Sequence, residues 1–148
     1  MSNTPKTPLT KIFPVNLTTA RNYLAKLDLH YIIEYMCAEY YPLPRWNLAD
    51  ATHCCQLYKN FLLLVKKHYP EFLVPTREID EFWHNHILYT KNYFRDSLAI
   101  FGHYLHHDPA SPHDDPQHLV QGYLKTKQYY LAEFQQPLEI FRNNCRLS

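Results

Sequence analysis

Eleven prolines and only two glycines divide this chain into proline-bounded segments, and within each segment the apolar residues recur at helical spacing. The clearest segment follows Tyr41-Pro-Leu-Pro-Arg-Trp46. There Asn47 can cap a helix reaching about His68, with Ala51, Cys54, Cys55, Tyr58, Phe61, Leu62 and Val65 on one stripe. Upstream, Ala20, Leu24 and Leu27 share a face. The phase then slips at Asp28, and Leu29, Ile32, Ile33, Met36 and Tyr40 begin a second stripe that Asp28 can cap. Downstream, the loop from Asp108 to Pro116 ends in an Asp115-Pro116 start for a helix carrying Leu119, Val120, Tyr123, Leu124, Tyr130, Leu131 and Phe134. Pro137 closes that helix, and Leu138 to Phe141 reads as a short terminal turn. There is no clear strand pattern and no internal repeat. The expected fold is an all-α, single-domain bundle of five or six helices over residues 16–148, behind an extended lead-in over residues 1–15.

Composition narrows function mainly by exclusion. Fifteen Lys and Arg stand against 14 Asp and Glu, and no basic run exceeds Lys66–Lys67, which gives a nucleic-acid surface little support. Gly-rich phosphate loops are missing from the sequence. The N-terminus has no hydrophobic signal region, and the longest aliphatic run, Leu62 to Val65, is too short to span a bilayer. Cys37, Cys54, Cys55 and Cys145 form no C-x-x-C pair, so the expectation is a reduced, cytoplasmic protein, with export by a signal-independent route left open. Cys54 and Cys55 read as small apolar packing residues. A nucleophilic role activated by a histidine is the weaker alternative, since no nucleophile motif surrounds them. Ten histidines make the net charge of +1 sensitive to mild acid, which raises a pH sensor without establishing one.

The stretch from Thr76 to Asp108 holds five of those ten histidines. Thr76 after Pro75 is a natural N-cap, Glu78 and Asp80 lie near the positive end of the helix dipole, and Gly102 is a natural C-terminal stop. Ile79, Trp83, Thr90 and Phe101 fall on one meridian, flanked by Phe82, Ile87, Tyr93 and Phe94. The expectation is a core-facing helix bent near Thr90. Positions 84 and 86 differ by roughly 200° around a helix, so one straight helix cannot aim both histidines at one ion. His84 lies at the edge of the apolar stripe, one turn beyond Asp80, and the pair can offer a carboxylate and an imidazole to one point; the bland reading is a surface ion pair. His86 lies near the stripe centre and reads first as a core histidine. Trp83 reads as core. His106, His107 and Asp108 form either a solvated turn or the second half of a site.

The segment L-V-P-T-R-E-I-D-E-F-W-H-N-H-I-L-Y-T-K-N-Y-F-R-D, followed by F-G-H-Y-L-H-H-D, resembles the glycine-rich-domain-containing-protein-like family, a domain of plant, fungal and bacterial proteins. The family hallmark falls here on Pro75, Thr76, Asp80, Trp83, His84, His86, Leu88, Tyr93, His107 and Asp108. The resemblance covers roughly residues 50–110. It implies a core domain without the glycine-rich tail of longer members and carries no reaction with it.

Two readings of function stand side by side. In one, the chain is an interaction module with an unidentified protein partner, and His86, Trp83, Thr90 and Tyr93 belong to a buried polar network that fixes the helix and its following turn. Such a module can also carry a divalent metal. In the other, Asp80, His84 and His107, with Asp108 or His103 as accessory groups, hold Zn²⁺ or non-haem Fe²⁺ for an enzyme of unknown substrate. That ligand set needs the chain to reverse after Gly102. No H-E-x-x-H supports a metalloprotease.

Overall fold

A computed structural model describes residues 13–109 and 111–141. Among the described residues there are six α-helices and no strand, an all-α single-domain bundle. The helices are α1 (Leu17–Lys26), α2 (His30–Cys37), α3 (Leu48–Lys67), α4 (Arg77–Leu88), α5 (Thr90–Phe101) and α6 (Pro116–Phe134). Most starts are fixed by a short polar side chain. Asn16, Asn47, Thr76 and Asp115 each accept from a backbone N–H of the first turn. Asp28 does the same for His30, at 2.9 Å. The lead-in expected over residues 1–15 lies almost wholly outside the described residues.

The central element is α3, against which α1, α2, α4 and α6 all pack. Its stripe is wider than the sequence pattern suggests: Leu57, Leu63 and Leu64 are buried along with all the expected residues except Val65, which is only partly covered. Tyr58, Phe61, Leu62 and Leu64 are among the most completely buried side chains, each contributing roughly 1.5–3 kcal/mol of burial. The proline-rich link before α3 is tied to α4 by Tyr41 and Trp46, whose O–H and indole N–H both donate to Glu81 Oε1, at 2.6 and 3.0 Å.

Three sequence expectations are corrected. The single bent helix is two helices, because Tyr89 leaves the helical region at φ −84°, ψ 71° while its ring packs edge-on against Tyr31 and Tyr35. Thr90, just past that break, is exposed and takes no part in a buried network. Residues 138–141 form no turn: Leu138 is buried in irregular chain, and the Phe141 N–H donates to Glu78 Oε1.

The apolar pattern of α6 does not by itself mark the face by which it docks. Its inner face is Gly122, Thr126 and Tyr130, whereas Val120, Leu124 and Leu131 are each about half exposed. A Cβ on Gly122 would stand 2.8–2.9 Å from side-chain atoms of Val74 and Phe72, and the Val74 N–H donates to the Gly122 carbonyl. The helix docks where it is small, so that the link preceding α4 can approach its backbone.

Candidate metal centre

On α4, Asp80 and His84 stand one turn apart on the exposed edge, with side chains 35% and 50% accessible. Their common partner comes from beyond α5. Gly102 caps α5 at φ +76°, a left-handed conformation that suits glycine, and turns the chain back towards α4. Five residues later, His107 Nε2 lies 2.8 Å from Asp80 Oδ1 and 2.8 Å from His84 Nε2, while His84 Nε2 lies 3.5 Å from Asp80 Oδ2. Each of the three residues offers one donor atom, and these lie within 4.8 Å of one another. The His107 side chain is only 10% exposed.

His107 is held from behind. Its imidazole lies flat on the Trp83 indole, with ring centroids 4.0 Å apart and planes 9° apart. The same indole donates its N–H to the Tyr93 hydroxyl at 2.9 Å, and that hydroxyl donates to the Leu105 carbonyl at 2.5 Å. Burial pushes the Tyr93 phenol up, which keeps it a neutral donor. The chain of contacts runs from α4 to α5 to the segment that carries His107.

Three lone-pair-bearing atoms therefore converge with few protons to share. The 2.8 Å contact between two imidazole nitrogens needs a proton on one of them, and the carboxylate competes for it. A small divalent cation satisfies all three at once. Tetrahedral ligation at about 2.0–2.2 Å would set neighbouring donor atoms roughly 3.3–3.6 Å apart. His107 Nε2 stands 2.8 Å from Asp80 Oδ1 and from His84 Nε2, short of that spacing by about half an ångström or somewhat more, while the 3.5 Å approach of His84 is to the other carboxylate oxygen, Oδ2. Two imidazoles and a carboxylate suit zinc or ferrous iron.

His103, His86, Cys54 and Cys55 go elsewhere. His103 has its Nδ1 3.0 Å from the Tyr104 carbonyl oxygen and packs against Tyr69, and Asp108 is exposed; neither belongs to the convergent group. His86 is buried, with Nδ1 2.7 Å from the Tyr58 hydroxyl and Nε2 2.9 Å from Asp96 Oδ2. Tyr23 and Arg95 complete the Asp96 shell at 2.5 and 3.1 Å. Burial disfavours the Asp96 carboxylate, yet hydrogen bonds from His86, Tyr23 and Arg95 hold its pKa below the ordinary value. Asp96 and Tyr23 had no place in the sequence reading, and Tyr58 entered it only as a core residue of the α3 stripe. The available signal was Asp96 itself, a charge on the same helical face as Tyr93 and Ile100. Cys54 is fully buried and donates to the Glu78 carbonyl, and burial pushes the Cys55 thiol up to about 11, so neither is an activated nucleophile.

A family model described as UCP032817-like matches residues 20–136. The chain is similar to glycine-rich domain-containing protein 1 of Arabidopsis thaliana, 28% identical over 117 residues, a match covering 74% of this chain and 14% of that protein. No solved structure matches.

Proposed function

The chain belongs to the UCP032817-like family, and we propose that it is a divalent-metal-binding interaction module, its cation held by Asp80, His84 and His107. The observation carrying this reading is the approach of His107 Nε2 to both Asp80 and His84 at 2.8 Å. Three protein ligands leave at least one position for an outside donor, and the half-exposed His84 ring puts that position at the surface. A partner's side chain can close it. An exposed aromatic elsewhere on the surface supports such a role: Tyr40 is 78% exposed and rests against the Tyr35 ring. Zinc is the expected ion, with ferrous iron the other candidate.

The second reading is a metal-dependent enzyme, favoured by the ligand count. Catalytic zinc sites keep three protein ligands and one exchangeable position, and the cation there would lower the pKa of bound water. The Asp80, His84 and His107 side chains would hold and orient it in either case.

Zinc titration against a colorimetric chelator tests the common premise. One site per chain is expected in the unaltered protein, with strong weakening in His84→Ala and Asp80→Asn. Equal affinity in the variants would remove these residues from the ligand set.

A further inference from the structure

Resting on that reading, we propose that Tyr93 and Trp83 are positioning residues of the metal centre, setting the place of His107 through a buried relay. His107 is the one ligand that comes from outside α4, so the site depends on where residues 103–108 run. Two independent contacts fix that course. The Trp83 indole forms a flat floor under the His107 ring, 4.0 Å away. The Tyr93 hydroxyl accepts from Trp83 Nε1 and donates to the carbonyl of Leu105, two residues before the ligand.

The relay is itself well anchored. Tyr93 is 2% exposed, and its ring meets the His86 ring edge-on at 5.0 Å, so the Tyr58–His86–Asp96 network sits behind it. Trp83 packs on Phe61 of α3. Leu105 is buried as well. One hydroxyl thus joins the helix that carries Asp80 and His84 to the segment that carries His107. Groups behind metal ligands that fix their orientation typically change metal affinity about 10- to 100-fold when removed.

The test is cobalt(II) titration of the full chain, followed by visible absorption, for the unaltered protein, Tyr93→Phe and Trp83→Phe. Phe at 93 keeps the ring and deletes both hydrogen bonds. Phe at 83 keeps a flat ring under His107 and deletes the N–H, so the relay can still be tested if one variant does not fold. Metal-free thermal unfolding of each variant separates loss of fold from loss of positioning.

The expected result is a folded variant that binds cobalt about 10- to 100-fold more weakly, with bands shifted from the intense four-coordinate pattern towards the weak six-coordinate one. Folded variants with unaltered affinity and spectrum would overturn the relay while leaving the metal reading intact. An unaltered protein that binds no cobalt would overturn both.

Discussion

His86 on α4 and Asp96 on α5 meet at 2.9 Å with each side chain 1% exposed, across the break at Tyr89. The pair is fully enclosed by partners: Tyr58 on the far side of the imidazole, Tyr23 and Arg95 on the other carboxylate oxygen. It joins α1, α3, α4 and α5 at one point. A buried pair of this kind contributes little net energy against an apolar substitute, but breaking it strands its partner.

Removing the carboxylate should therefore be costly. Asp96→Ala is expected to lose about 3–5 kcal/mol, since it leaves His86 and two hydroxyl or guanidinium donors without their acceptor. Urea unfolding followed by circular dichroism measures it. The pH dependence has a defined sign. Because the folded-state pKa of Asp96 lies below its ordinary 3.8, its stabilisation is present above that value and is lost as pH falls through the lower folded pKa. Asp96→Asn should show a flatter stability profile below about pH 4 than the unaltered protein. An identical acid profile would mean that Asp96 gains nothing from its partners.

Gly102 is strained for any other residue. Its φ is +76°, and an added Cβ would stand 1.5 Å from the carbonyl oxygen of Phe13, whose N–H donates to the Gly102 carbonyl at 2.6 Å. Gly102→Ala should cost at least about 1–2 kcal/mol for the left-handed backbone alone, and the displaced Phe13 segment adds to it. It should also weaken zinc binding, because the turn that returns His107 begins there. A melting temperature within a degree of the parent would contradict this.

The outward face of α6 makes a paired prediction. Leu124→Gln and Leu131→Gln should change stability by no more than about 0.5 kcal/mol, as exposed substitutions do. Tyr130→Ala, which empties a buried site and removes the hydroxyl that accepts from Asn60, should cost about 3 kcal/mol or more. Chemical denaturation of the three variants decides it. Reversed costs would mean that α6 docks by its apolar stripe after all.

Much of the fold was legible because its signals are local. Asn47, Thr76, Asp115 and Gly102 act within one turn of where they stand, and the α3 stripe repeats over five turns. Asp80 and His84 were legible as neighbours for the same reason. What escaped was set by tertiary geometry. His86 and Asp96 meet only because Tyr89 breaks the helix, and the rings that draw Tyr89 aside belong to α2. The facing of α6 escaped because Val120, Leu124 and Leu131, nearly half of its apolar pattern, lie off its inner face. Close approach of Phe72 and Val74 requires Gly122 there, and a hydrophobic pattern does not weigh a glycine. The return of His107 was left open by the sequence, since neither its spacing from His84 nor the glycine before it specifies where the chain goes.

The central claim, that Asp80, His84 and His107 hold a divalent cation, is tested most directly by metal content. The protein would be purified without affinity tag or chelator and analysed for zinc and iron, alongside His107→Ala. The expected result is close to one ion per chain in the unaltered protein and its loss in the folded variant. A folded, metal-free parent that also fails to take up added zinc, or a variant with undiminished metal, would contradict the account.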